Sequence, residues 1–283
     1  MVTTRSAPRL TPAFLATTGI VVAALLALGA SGPAIATSNP AGSRPTIVLV
    51  HGDWADASSW NRVTERLQKK GFTVVAPPNL LRGPATDAPY LASYLRSIVG
   101  PIVLVAHSYG GFVATNAATG NANVKALVYI DAFMPDEGET AADLLANSGS
   151  CVVEAGLNPV PFDGGVDLYL RWEANPDATP PYPGFVDCFA NGVRPDEARV
   201  LAAGQRPAAP AQFSQPSGPP AWKTIQSWSL IGTQDHVIPR ALLERMSGRA
   251  DAHITTVRAG HLTPITRPGD VTKVILSAVD ATT

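Results

Sequence analysis

Ser108 lies in the run Ala106-His107-Ser108-Tyr109-Gly110-Gly111. A serine hydroxyl is a weak nucleophile at its own pKa and gains reactivity only beside a base. The small-x-Ser-x-Gly-Gly pattern follows the apolar run 102–106 and leads directly into a helix-like segment. A sharp turn from a buried strand into a helix needs small neighbours, and it lifts the serine out at the strand's carboxyl end. The helix N-terminus behind it favours developing negative charge. Such a serine is placed to attack an acyl carbon; the competing reading is a structural serine in a glycine turn.

The chain has five histidines to offer as base. His107 is adjacent in sequence and points away on such a turn. His51 ends the first strand and braces that loop, His236 follows an acid, and His253 leads a strand. His261, in Ala259-Gly260-His261-Leu262, sits in a loop between the last strand and the last helix, where the chain returns to the edge that carries Ser108. It is the expected base. A carboxylate must orient that base and stabilise its imidazolium. Asp235, in the loop 232–239 after the preceding strand, gives the chain order nucleophile, acid, base. Asp131, at the end of the fourth strand, is the rival acid. Two backbone N–H groups complete the set as donors to an oxyanion, that of Tyr109 and that of Asp53, with Gly52 allowing close approach. The Asp53 side chain must then turn outward or bias the pocket against anions. Trp54, Phe133 and Met134 are the expected apolar pocket residues, although such side chains are as often core.

These positions require a particular scaffold. The runs 46–50, 72–76, 102–106, 124–130, 227–231 and 254–257 are short and rich in β-branched residues, as strands buried on both faces are. Between them, 60–70, 87–99, 240–247 and 270–279 carry apolar residues at helical spacing, with Ser58 or Ser59 available to cap the first. The expectation is an α/β fold, a mainly parallel six-stranded sheet with helices on both faces. The stretch 134–222 interrupts that alternation and holds 13 of the 26 prolines, so it cannot be one regular element. It reads as a small cap (134–222) inserted into a core formed by 37–133 and 223–283, with the short helices 140–146 and 195–203. Such caps wall a substrate pocket; a surface excursion without a role is the alternative.

Ahead of the fold, Arg5 and Arg9 precede an apolar stretch, 13–30, which ends before Ala34-Ile35-Ala36. That is the order of a secretory signal peptide, 1–36, rather than of a retained membrane anchor. Removal would move the net charge from −1 to −3, leave no membrane segment, and place the protein outside the cytoplasm. In an oxidising compartment Cys151 and Cys188 are expected to pair, the alternative being two buried thiols. Two cysteines are too few for a thiolate zinc site, and the charge balance excludes a nucleic-acid binder. No metal is expected.

Taken together, His51-Gly52 after a strand, Trp60 downstream, the 106–111 turn, Asp235 and Gly260-His261 resemble the α/β-hydrolase superfamily. The segments 131–139 and 235–239 are similar to those of its small esterase branch, which includes bacterial salicylate- and pyrethroid-type esterases, plant methyl-ester esterases and hydroxynitrile lyases. The resemblance spans 44–281 and is weakest over 149–217. It implies a hydrolase without cofactor, and the apolar side chains Trp54, Tyr109, Phe133 and Met134 near the serine turn and cap suggest a small, uncharged ester or lactone as substrate. The lyases of that branch carry Thr at the place of Gly52 and Lys at that of Leu262, so ester hydrolysis is favoured. The haloalkane dehalogenases of the superfamily use an Asp nucleophile, which Ser108 excludes. A C–C bond or amide hydrolase, a cofactor-free perhydrolase and a non-catalytic ligand binder share the same scaffold.

Overall fold

The computed structural model describes residues 44–282; the segment 1–36, expected to be a signal peptide, lies outside them. The six expected strands form one parallel sheet: β1 (Thr46–Val50), β2 (Val74–Val75), β3 (Ile102–His107), β4 (Val124–Ile130) and, after the interruption, two more. Within the interruption, β5 (Leu157–Phe162) and β6 (Gly165–Leu170) pair with each other as an antiparallel hairpin. β7 (Ser227–Gly232) and β8 (His253–Val257) then complete the main sheet in the order β2-β1-β3-β4-β7-β8.

Side chains alternate across a strand, so each strand divides its apolar residues between two layers. On one face Ile47, Leu49, Val103 and Val105 pack with Val63 and Leu67 of α1 (Asn61–Lys69) and with residues of the C-terminal helix. On the other, Val48, Val50, Leu104 and Ala106 meet α2 (Pro84–Arg96) and α3 (Gly110–Ala117). The interruption supplies α4 (Ala141–Leu145), α5 (Phe185–Cys188), α6 (Pro195–Ala203) and α7 (Ala211–Ser214). α8 (Arg240–Arg249) covers the second face, α9 (Thr263–Thr266) is a single turn, and α10 (Pro268–Asp280) closes the first.

Several element ends differ from the sequence reading, each for a local reason. α1 is preceded by a 3-10 turn, Ala57–Trp60, whose cap is Asp56 rather than Ser58 or Ser59; the Ser58 N–H donates to its carboxylate at 2.7 Å. α2 starts three residues before the expected position because Pro84 suits the first helical turn, where a missing N–H costs nothing. Asp87 then accepts from the N–H groups of Arg82 and Gly83 and holds that end.

Cys151 and Cys188 form a disulfide across 37 positions. It lies against the β7–α8 loop: the Cys151 N–H donates to His236 O at 2.8 Å, and the Ser150 hydroxyl to Val237 O at 2.6 Å. His236 Nδ1–H in turn donates to Asp187 O at 2.8 Å. Closing a loop of this length lowers the entropy of the unfolded chain, so the double variant Cys151→Ser/Cys188→Ser is expected to lose about 3–4 kcal/mol in urea unfolding. Unchanged stability would mean that the tertiary contacts alone fix this loop.

Candidate active site

Five loops converge at the carboxyl edge of the sheet, following β1, β3, β4, β7 and β8. Crevices outside that edge are where open α/β sheets bind ligands. Ser108 sits between β3 and α3 with φ of +54°, in the left-handed region that side chains other than glycine rarely adopt. Its carbonyl accepts from the Gly111 N–H at 2.9 Å and the Phe133 N–H at 3.2 Å, which fixes the turn from both sides. A side chain at Gly111 would collide with the Phe133 carbonyl, and a Cβ at Gly52 would come within 2.5 Å of Ser108 Cβ. The two glycines therefore let β1, β4 and the turn close upon one another.

The Ser108 hydroxyl donates to His261 Nε2 at 2.9 Å, and His261 Nδ1–H donates to Asp235 Oδ2 at 2.7 Å. Asp235 Oδ1 is taken by the N–H groups of Val237 and Ile238 at 2.8 and 2.9 Å. The carboxylate is thereby pinned with one oxygen left for the imidazole. Ser108, Asp235 and His261 are all buried. Burial holds the imidazole well below its usual value, at about 3, because the charged ring would lose its hydration.

Asp131 is close by but turned elsewhere, accepting from the Gly232 N–H and the Thr263 hydroxyl. Burial pushes both carboxyls upward, and the charge of Asp235 pushes Asp131 further. The remaining histidines have other partners. His107 Nε2–H donates to His261 O at 3.0 Å, and its ring lies 4.7 Å from that of His261. His51 accepts from the Asn79 N–H at 3.0 Å through Nε2 and donates to Gly52 O at 2.9 Å through Nδ1.

The backbone N–H groups of Asp53 and Tyr109 donate to no acceptor among the described residues. The Asp53 side chain does not turn outward: it is buried and lines the cavity over Ser108 together with Trp54, Tyr109 and Phe133. Met134 is placed elsewhere. Its sulfur accepts from Ser247, and its N–H meets the Met246 sulfur, so it belongs to the packing beneath α8. Asn191, which has no motif around it, was invisible to sequence reasoning. Its side chain bridges the two functional loops, with Oδ1 at 3.4 Å from the His261 N–H and Nδ2 donating to Gln234 O at 2.7 Å. Phe189, from the same segment, lies 5.4 Å from the His261 ring. Among the described residues no group of His, Cys, Asp or Glu is arranged to hold a metal ion, and no helix is long and apolar enough to cross a membrane.

Comparison with known proteins agrees with this architecture. Over 111 residues the chain is 32% identical to a carbendazim hydrolyzing esterase of Nocardioides sp. (strain SG-4G), a match covering 35% of this chain and 46% of that protein. The match thus spans about half the length of that relative. Among solved structures, a pyrethroid hydrolase from Sphingobium faniae JZ-2 superposes with a TM-score of 0.66 at 18% identity, covering 84% of this chain and 98% of the other. An extracellular alpha/beta-hydrolase from a Paenibacillus species gives 0.63 at 21%, with 83% and 98% covered. A methylesterase from Arabidopsis gives 0.65 at 16%, with 84% and 99% covered. The model of the alpha/beta hydrolase family matches residues 47–274, and the chain belongs to that family.

Proposed function

We propose that the protein is a serine carboxylic-ester hydrolase acting on a small, uncharged ester or lactone through Ser108, His261 and Asp235. The single observation that carries this reading is the continuous hydrogen-bonded chain from the Ser108 hydroxyl through His261 to Asp235. Ser108 Oγ attacks the acyl carbon while its proton passes to His261 Nε2. The N–H groups of Asp53 and Tyr109 stabilise the resulting oxyanion. His261 then gives the proton to the departing alkoxide, and a water activated by the same imidazole releases the acid from Ser108. Asp235 holds the ring in the tautomer with its proton on Nδ1 and stabilises the imidazolium as it forms.

The relative named a carbendazim hydrolyzing esterase and the fold neighbours named hydrolases and esterases support this substrate class. We further infer that the segment 134–222 caps the site and that the protein is exported. The disulfide and the fold neighbour described as extracellular support export. For the cap, the cavity over Ser108 is walled partly by Leu145, Val152 and Phe213 from that segment.

Ser108→Ala is expected to lower the kcat for p-nitrophenyl acetate and butyrate by about 10³-fold or more, with the fold intact by circular dichroism. Undiminished turnover would remove the assignment. The two candidate acids separate in the same assay. Asp235→Asn is expected to lose about 10³–10⁴-fold in kcat, whereas Asp131→Asn stays within about tenfold of the parent protein; the reverse order would transfer the role to Asp131.

The pH dependence follows from the environment of His261. Burial disfavours its protonated form, so the neutral base persists as pH falls through the ordinary histidine range. The acid limb of kcat/KM is expected to have its midpoint below 6.5, and a midpoint above that value would contradict the buried, neutral imidazole.

A further inference from the structure

The cavity over Ser108 is mainly apolar, with Trp54, Phe133, Leu145 and Phe213 on its walls. Besides Ser108 and Tyr109, two polar side chains interrupt that lining, the Asp53 carboxyl and the Gln212 carboxamide. They are 6% and 1% exposed. Asp53 Oδ1 and both polar atoms of Gln212, Oε1 and Nε2, have no hydrogen-bond partner. Gln212 lies within reach of the Asp53 carboxyl and lowers its proton affinity, yet the contact falls short of hydrogen-bond geometry at Asp53 Oδ1 and at both Gln212 atoms. Buried polar groups are nearly always satisfied, so three unpartnered atoms on two residues that line one cavity point to a group that arrives from outside.

Neither residue is loosely held. Gln212 is carried by α7, whose neighbour Gln215 accepts from the Ala85 N–H at 3.1 Å and so ties the turn to the start of α2. Asp53 follows Gly52, which is pressed against Ser108. The lining of this cavity includes Asp53, Ser108 and Tyr109 but not His261. A leaving alkoxide must depart on the His261 side to receive its proton, so this cavity takes the acyl portion of the ester.

Resting on the esterase reading above, we propose that Asp53 and Gln212 form a recognition point for the acyl group of the substrate, binding an amide-type N–H/C=O pair carried close to the scissile carbonyl. Burial and the nearby Asp87 carboxylate push the Asp53 carboxyl well up, and its protonated form sets an O–H donor beside an acceptor. The Gln212 carboxamide offers the same pairing. An uncharged amide complements both, whereas an anionic acyl group would face the Asp53 carboxyl.

The test compares p-nitrophenyl N-acetylglycinate with p-nitrophenyl 4-oxopentanoate, which differ only by N–H against CH2. The intact protein is expected to favour the amide by about tenfold or more in kcat/KM, since a site built around polar groups rejects the analogue that leaves them unpaired. Gln212→Leu and Asp53→Leu are each expected to bring the ratio to within about twofold, while Asp53→Asn, which keeps a donor and an acceptor, retains the preference. Gln212→Leu is further expected to keep or raise the Tm, because it removes unpartnered buried atoms. Selectivity lost together with Tm would mark Gln212 as structural and overturn its part. A ratio near one in the parent protein, or a preference unchanged in both Leu variants, overturns the proposal. Should neither ester show Ser108-dependent turnover, the esterase reading fails. Recognition is then read separately from the Tm shift given by N-acetylglycinamide against 4-oxopentanamide: a larger shift with the first supports the site, and equal shifts overturn it.

Discussion

The structure depends on the conformation forced upon Ser108. A left-handed serine between a strand and a helix costs of order 1–3 kcal/mol and persists only where its surroundings over-determine it. They do so here from the two strands that flank β3. The Ser108 N–H reaches Ile130 O at the end of β4, and the Ser108 carbonyl takes the Phe133 N–H from the loop beyond it. From β1, the Val50 carbonyl would lie 2.7 Å from a Cβ placed at Gly110. Because β1 and β4 flank β3, the strain is absorbed by the centre of the sheet, where every residue of β3 is buried. The hydroxyl is thereby fixed at the carboxyl edge, and the loops after β7 and β8 need only return to it.

That return is not achieved by the sheet alone. β8 is an edge strand with mostly exposed residues, so the loop that follows it has little support from its own strand. The segment between β4 and β7 supplies the support. Asn191 ties the His261 backbone to Gln234, Phe189 sits against the imidazole, and the disulfide lies on the loop that carries Asp235. The prolines that make this segment irregular also make it stiff, since each fixes its own φ. The segment whose Leu145, Val152 and Phe213 line the cavity therefore also braces the two loops that carry His261 and Asp235.

What the sequence made legible follows the range of the forces involved. Buried parallel strands announce themselves as continuous β-branched runs, and a serine turn between a strand and a helix is a local pattern, so the sheet and Ser108 were readable. The order of loops along the chain then selected His261 and Asp235 from their rivals. The β5–β6 hairpin was not readable, because Pro159 and Pro161 argue against a strand. They are tolerated because both occupy positions that need no donor: Leu168, opposite Pro159, directs its own N–H and C=O to Ala208. Asn191 and Gln212 act only through contacts distant in sequence, and no spacing rule reaches them. Met134 failed for the opposite reason, since an apolar residue beside a site carries no information about which way it faces.

Three buried histidines show how little residue type decides without position. His51, His107 and His261 all lose affinity for a proton through burial, and all stand within the loops around Ser108. His51 spends both ring nitrogens on the β1 loop and Asn79. His107 uses its donor on the His261 carbonyl, beside the very ring it might otherwise replace. Only His261 has one nitrogen committed to a carboxylate and the other directed at a hydroxyl. The first bond selects the tautomer, and the tautomer leaves the second nitrogen with a lone pair. A neutral, oriented imidazole beside a strained serine is thus a consequence of where β8 ends and of what Asp235 accepts. The two other imidazoles hold the loops on either side of it in place.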